Sequence, residues 1–218
     1  MMTRLFQGLA AGLMVMISGC VSVLPEAAPP KPRLHIAPAG DVDMSGDRLN
    51  FSVVVDDPRA TRVYDSVRIA VSTAPGRIAY LSGAEWADRA PRLFQTALIQ
   101  TFEDSGRILA VGDRSSVPVA DIVLQTDIRH MEVDVENGDA AVVSVYARLS
   151  DGKGTVYAAR KFDARVSAAS TKPDDVYDAF NSAFDEILSG IVKWTFDAGQ
   201  SAREFVRSGA GSRSIVAD

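Results

Sequence analysis

Residues 121–166 constrain the fold most, because apolar and polar residues alternate there over three consecutive segments. Alternation with a period of two is typical of half-buried β-strands. Asn137-Gly138 separates the first two segments and residues 151–154 separate the last two, and both sequences favour tight turns. We therefore predict three antiparallel strands joined by hairpins.

The apolar positions change sides within the first segment. They are even-numbered at first and odd-numbered later: Ile122, Leu124 and Ile128, then Met131, Val133 and Val135. One extra residue in a strand reverses which side chains face the core. The change predicts a β-bulge near Arg129 or His130.

Further strands are predicted at residues 49–55, 67–71, 77–81 and 107–111, the middle two forming a hairpin through Pro75-Gly76. Apolar residues three and four apart predict two helices, over residues 91–104 and from Thr171 to about Trp194. The expected fold is α+β: a mixed, largely antiparallel sheet of about seven strands with two amphipathic helices packed on one face.

The start of the chain is typical of a secretory signal, which we place at residues 1–19. Arg4 precedes an apolar run over residues 5–17, and small residues follow at Ser18 and Gly19. A helix of that run is about 20 Å long, whereas a bilayer span needs roughly 20 apolar residues. Cleavage is therefore expected rather than retention as an anchor.

Cys20 is the only cysteine, and Ile17, Ser18 and Gly19 before it resemble the lipobox of bacterial lipoproteins. That resemblance implies a thiol that carries diacylglycerol and acyl chains such as palmitate, which would bind the protein firmly to a membrane. Val21 follows where an Asp would indicate inner-membrane retention, so the outer membrane is expected. The alternative is an ordinary signal peptide with an incidental cysteine.

Three further segments follow the signal. Residues 20–48 carry five prolines and are predicted to be an extended tether, residues 49–198 the folded domain, and residues 199–218 a flexible tail. The prolines of the tether are Pro25, Pro29, Pro30, Pro32 and Pro38.

Charge and composition argue against several functions. The net charge of −5 disfavours nucleic acid as a partner. Of the two histidines, His35 lies in the tether. His130 with Asp127 or Asp134 could supply only part of a catalytic triad. The sequence has no G-x-S-x-G motif that would supply the nucleophilic serine. No spacing of metal ligands is present. We expect neither catalysis, nor a metal, nor a cofactor other than the acyl chains on the cysteine.

Tyr80 and Trp86 are candidates for contact with a lipid or a protein partner, because aromatic residues are frequent at interfaces. Ordinary core and rim packing is the alternative for both residues.

The order of short motifs along the chain resembles the auxiliary lipoproteins of ABC-type lipid transport systems, the PqiC-like or YmbA-like proteins. The motifs are Arg77-Ile78-Ala79-Tyr80, Trp86, Pro91, Leu93, Leu98, Ser105-Gly106-Arg107-Ile108, Ala120-Asp121-Ile122-Val123-Leu124, Ala147-Arg148-Leu149, Gly154-Thr155-Val156, Arg160-Lys161-Phe162 and Trp194. Members often have a further tyrosine before the tryptophan, where this chain has Gly83-Ala84-Glu85.

The resemblance implies a periplasm-facing lipoprotein on the outer membrane that meets an MCE-domain protein and helps phospholipids cross the envelope. It also implies a homo-oligomeric ring. A different class of function remains open at this point: a structural outer-membrane lipoprotein that supports envelope assembly or a cell-wall synthase.

The lipobox makes the first testable prediction. Mass spectrometry of the mature protein should find Cys20 as the first residue, with a mass increment for acyl chains. An unmodified amino terminus at another position would contradict lipidation.

Overall fold

The structure is a computed structural model and describes residues 30–40, 42 and 46–207. These residues form nine strands and two helices. The strands are β1 (Arg33–Leu34), β2 (Leu49–Val55), β3 (Arg59–Ala60), β4 (Arg68–Ala74), β5 (Arg77–Trp86), β6 (Ile108–Gly112), β7 (Ile122–Asp134), β8 (Ala140–Ser150) and β9 (Val156–Ser167). The helices are α1 (Ala90–Asp104) and α2 (Pro173–Arg207). The α+β class is confirmed, with nine strands instead of about seven.

Strand β7 is central to the sheet. It pairs antiparallel with β8, which pairs antiparallel with β9, so the three predicted hairpin strands are confirmed. The register between β7 and β8 shifts between Ile128 and His130, which confirms the predicted bulge. Because of this shift, Leu124 and Ile128 lie in the same apolar core as Met131 and Val133.

The other edge of β7 carries three strands placed end to end, all parallel to it. β2 pairs with residues 122–124, β3 with residues 127–128 and β4 with residues 132–134. Beyond β2 lies β6, which is parallel to it, and beyond β4 lies β5, which is antiparallel. β1 adds in parallel to the end of β5. The antiparallel pairings are the longest ones, so the sheet is mixed and largely antiparallel as predicted.

Both helices pack on the apolar face of the sheet and contact each other. The apolar positions spaced three and four apart in α2 are buried: Val176, Phe180, Ala183, Phe184, Ile187 and Ile191. The Phe184 ring lies 6.1 Å from that of Trp86 in β5 and 6.4 Å from that of Phe94 in α1. At Gly199 the helix comes so close to β2 that a Cβ atom would lie 2.9 Å from Phe51.

Residues 33–40 and Val42 are part of the folded domain, which corrects the predicted tether. β1 pairs with the end of β5, and Leu34 and Ile36 are buried. The Gly40 N–H donates to Asp185 Oδ1 of α2 at 2.8 Å. Proline favours extended backbone, and an extended segment can add to a sheet edge as readily as it can form a spacer.

The end of the domain is also later than predicted. Helix α2 continues through Arg207, so residues 199–207 are helical rather than part of a tail. Residues 208–218 lie outside the described part of the chain.

The turn between β7 and β8 is closed by Asp134. Its Oδ1 accepts hydrogen bonds from the N–H groups of Glu136 at 3.0 Å and Asn137 at 3.2 Å. Its Oδ2 accepts from Asn137 Nδ2 at 3.1 Å and from Arg165 Nη1 of β9 at 2.7 Å. These donors, with Asn137 contributing most, lower the pKa of Asp134 to about 2.

Truncation of the aromatic core should be costly. We expect Trp86→Ala to lower the free energy of unfolding by about 3–5 kcal/mol, because it leaves a cavity between β5 and α2. Urea denaturation would measure the loss. Ile78→Ala, at an exposed position of the same strand, should change stability by less than about 0.5 kcal/mol. Equal effects of the two substitutions would contradict the described packing.

Asp134 should make stability depend on pH. Its pKa is lower in the folded protein than the ordinary 3.8, so its stabilising contribution is present above about pH 4 and is lost as the pH falls toward about 2. Denaturation across this range should therefore show a smaller decrease for Asp134→Asn than for the wild type. Asp104→Asn, at the exposed end of α1, should behave like the wild type. An unchanged decrease in Asp134→Asn would refute the assignment.

Candidate functional site

A polar cavity of about 430 Å³ lies where strands β2 and β6 end. These strands are adjacent and parallel, so the segments that follow Val55 and Gly112 leave the sheet at the same edge. Side chains from both segments, from α1, from β7 and from β8 line the cavity. In sheets with parallel strands, ligands commonly bind at the carboxyl ends of the strands.

The cavity coincides with a gap in the pairing along β7. The Asp56 N–H donates to the Leu124 carbonyl at 2.9 Å, and the next ladder pair joins Arg59 to Asp127. Pro58 has no N–H to donate, and it restricts the residue before it to extended backbone. The connection between β2 and β3 therefore forms no ladder with the facing residues of β7.

An ion pair joins the two segments at the cavity. Arg114 Nε lies 2.5 Å from Asp56 Oδ1, and Arg114 Nη2 donates to Asp56 Oδ2 at 2.8 Å. Gln125 Nε2 donates to the same Oδ2 at 3.4 Å. From α1, Gln95 Nε2 donates to the Val55 carbonyl at 2.9 Å. The bidentate geometry fixes the position of the Arg114 guanidinium.

Asp113, also at the cavity, organises the turn after β6. Its Oδ1 accepts from the N–H and hydroxyl of Ser116 at 2.9 and 2.6 Å. It also accepts from the N–H and hydroxyl of Ser115 at 3.0 and 2.7 Å. These bonds, that from the Ser116 hydroxyl above all, hold the pKa of Asp113 well below its usual range. The carboxylate is therefore already well supplied with donors.

Three hydrogen-bond donors of the lining lack a comparable partner. Arg59 and Arg148 have no carboxylate within 4.0 Å among the residues that the structure describes. The Arg148 guanidinium lies 4.7 Å from the centre of the Tyr146 ring. Thr126 is 2% exposed, and within the described chain its hydroxyl has no hydrogen-bond partner.

A second polar cluster surrounds the bulge in β7. The Tyr64 hydroxyl donates to Glu132 Oε2 at 2.7 Å, and His130 Nδ1 lies 3.3 Å from Glu132 Oε1. Burial, together with the neighbouring Glu132 carboxylate, raises the pKa of Tyr64. His130 thus contacts these two residues, rather than Asp127 or Asp134, the carboxylates considered from the sequence.

Trp86 and Tyr80, the two aromatic residues predicted to contact a lipid or a protein partner, lie in different environments. Trp86 is only 1% exposed, with its ring 5.2 Å from that of Phe180, so it belongs to the core and presents no contact surface. Tyr80 is half-buried, and the Arg68 guanidinium lies 3.6 Å from the centre of its ring. A contact role for Tyr80 remains a prediction.

The predicted lipidation site lies outside the described residues, as do Ile17, Ser18 and Gly19 before Cys20. In the part of the chain that is described, no helix is both long and apolar enough to cross a bilayer. The same part contains no cluster of three or more histidine, cysteine, aspartate or glutamate side chains able to hold a metal.

A comparison with models of protein families identifies the family to which the chain belongs. The model of the family described as "ABC-type transport auxiliary lipoprotein component" matches residues 33–192, from β1 into α2. The chain belongs to this family. The family match and the pairing of β1 with β5 both begin at Arg33.

Individual proteins are also similar to this chain in sequence or in structure. A Bradyrhizobium diazoefficiens protein is 28% identical over 150 residues, which are 67% of this chain but only 40% of the relative. The crystal structure of protein XCC0632 from Xanthomonas campestris, of family DUF330, is 29% identical. It covers 80% of this chain and 98% of its own, with a TM-score of 0.69. A further crystal structure, 12% identical, covers 75% and 98% respectively, with a TM-score of 0.57, and supports the fold alone.

The sequence did not single out the cavity, although one signal was present. Asp56-Asp57 directly follows the strand predicted at residues 49–55, and Asp113-Arg114 follows the one predicted at residues 107–111 after Gly112. Had the two strands been recognised as parallel neighbours, these residues would have been expected at one sheet edge.

Proposed function

We propose that this family member is a non-catalytic accessory component of an MCE-type lipid transport system, anchored to the outer membrane by acyl chains on Cys20. The family match over residues 33–192 is the observation that carries the proposal. The lipobox supports the anchor, and the acidic net charge of −5 argues against nucleic acid as the alternative partner. The transported molecule would be a phospholipid or a similar amphiphile.

The attachment of the amino-terminal segment supports this arrangement. Lys31 Nζ lies 2.9 Å from Glu85 Oε1, directly before β1 joins the sheet. The chain from Cys20 to Lys31 can reach at most about 40 Å when fully extended. A domain attached in this way stays near its membrane, so an MCE-domain protein that bridges from the inner membrane would have to reach it there.

The environment of the histidines supports a non-catalytic role. His35 is exposed next to β1, and His130 contacts Tyr64 and Glu132. In the described residues, neither histidine contacts a serine or threonine hydroxyl, which a general base would activate for nucleophilic attack.

Self-association is part of the proposal. Among the described strands, β6 pairs only with β2, and β9 pairs only with β8, so each has one free edge. Free edges are able to pair with another chain. A ring of copies would place several anchored domains around one partner.

The proposal is tested by crosslinking in cells followed by purification of the full-length protein. The wild type should recover an MCE-domain protein and should also form crosslinked homo-oligomers. Cys20→Ser should give a folded protein that loses the MCE partner and fails to complement a deletion, because it no longer lies at the membrane. Val23→Ser, which leaves the cysteine intact, should behave like the wild type.

Two outcomes would count against the proposal. Recovery of no MCE-domain protein with the wild type would favour a structural role in envelope assembly or with a cell-wall synthase. Full complementation by Cys20→Ser would show that anchoring is dispensable.

A further inference from the structure

The corner of the sheet where the amino-terminal segment joins it carries a surplus of positive charge. Glu85 of β5 is the register partner of Arg33 in β1 and of Arg68 in β4, so it lies between the two arginines. Lys31 Nζ lies 2.9 Å from Glu85 Oε1. All three cations lower the pKa of Glu85, and the hydrogen bond from Lys31 contributes most. Because one carboxylate faces three cations, two positive charges stay uncompensated.

The carboxylates just before β4 and just after β5 do not cancel this surplus, because each has an arginine of its own. Arg89 binds both oxygens of Asp65, with Nε donating to Oδ1 at 2.7 Å. Arg92 Nε lies 3.9 Å from Asp88 Oδ2. Among the residues that the structure describes, Arg33 and Arg68 have no carboxylate within 4.0 Å.

Two apolar groups lie beside these charges. The Arg68 guanidinium lies 3.6 Å from the centre of the Tyr80 ring, and Ile78 is 39% exposed. The strand register places Tyr80 and Ile78 on the face of the sheet opposite to the helices. Glu85 lies on that face too, because Ala84 and Trp86 on either side of it are buried in the core. We call the following six residues the cationic corner: Lys31, Arg33, Arg68, Ile78, Tyr80 and Glu85.

The helix layer on the other face of the sheet has the opposite charge. Between residues 173 and 200, helix α2 has six carboxylates and one cation. They are Asp174, Asp175, Asp178, Asp185, Glu186 and Asp197 against Lys193. An anionic surface therefore repels the helix layer and attracts the cationic corner.

The anchor proposed above determines which anionic surface is within reach. The cationic corner contains Lys31, and the chain from Cys20 to Lys31 extends to at most about 40 Å. This corner is thus the first part of the folded domain after the lipid anchor. Basic residues beside a membrane attachment are attracted to anionic lipids, and side chains such as tyrosine and arginine combine an apolar body with a polar end that suits the headgroup layer.

We propose that the cationic corner docks on the anionic headgroups of the membrane that holds Cys20. The guanidiniums of Arg33 and Arg68 contact lipid phosphates, whose oxygens match their N–H groups, and Tyr80 and Ile78 lie at the level of the headgroups. Docking in this way turns α2 away from that membrane. The inference rests on the anchor in the proposed function and adds the orientation of the domain.

The test attaches the purified protein to vesicles through Cys20, either by its own acyl chains or, if the thiol is bare, by a maleimide lipid. The vesicles contain phosphatidylethanolamine, phosphatidylglycerol and a lipid with a photoactivatable diazirine on its headgroup. After illumination, mass spectrometry locates the crosslinked residues. We expect crosslinks in β1, β4 and β5 around the cationic corner and few in α2. High ionic strength, or phosphatidylcholine in place of both other phospholipids, should reduce them, because the attraction is screened or removed.

Paired variants connect docking to the cationic corner. Arg33→Gln with Arg68→Gln should lower the yield of crosslinks there at least about fivefold, because each basic residue close to an anionic surface contributes about that factor to binding. Both arginines are exposed, so this variant should keep the melting temperature of the wild type. Lys153→Gln with Lys193→Gln removes the same charge from exposed positions in the β8–β9 turn and in α2, and should leave the yield unchanged.

Three results would overturn the inference. They are crosslinks spread equally over α2 and the cationic corner, a yield that does not depend on phosphatidylglycerol or ionic strength, and a wild-type yield in the arginine double variant. Crosslinks from the cationic corner to a second copy instead of lipid would also contradict it. The dependence on lipid and salt is measured with the wild type, so it decides the question even if the double variant does not fold.

The two proposals can fail separately. The maleimide lipid allows docking to be measured even if Cys20 carries no acyl chains in the cell. Failure to recover an MCE-domain protein would leave the crosslinks to lipid unaffected.

Discussion

The rest of the structure depends on the bulge in β7, where the buried side chains change from even-numbered to odd-numbered positions. The bulge between Ile128 and His130 lets one long strand keep apolar side chains toward the helices along both of its halves. Without the extra residue, Met131 and Val133 would turn to the other face, and the partners β4 and β8 would lose a common core. Every other strand is attached to β7 directly or through one or two neighbours.

The division of one β7 edge among three strands explains where the cavity lies. Because β2, β3 and β4 are placed end to end, the chain must leave the ladder between them. At the first of these interruptions, the residues after β2 meet those after β6, and Asp56 pairs with Arg114. The polar cavity is thus a consequence of the topology, and it is separate from the aromatic core that joins β5 to the helices.

The strands and the helix around the candidate site were predictable from the sequence, but the site itself was not. The strand before Asp56 and the helix that carries Gln95 were predicted, since each shows a periodic pattern. Thr126 looks like any polar residue in an alternating strand, because its lack of a partner depends on what faces it in space. Trp86 was a candidate for contact, yet its neighbour Phe180 is nearly a hundred residues away in sequence and buries it.

The sequence by itself determined the three hairpin strands, the bulge and both amphipathic helices. Each of these features follows from a local periodic pattern or a short motif, because backbone sterics and the burial of one face act over a few residues. Only the tertiary structure decided that β2, β3 and β4 run parallel to β7, that residues 33–40 pack against the domain, and that the segments after β2 and β6 line one cavity. Those outcomes depend on contacts between distant segments, whose relative placement is set by the packing of the whole core.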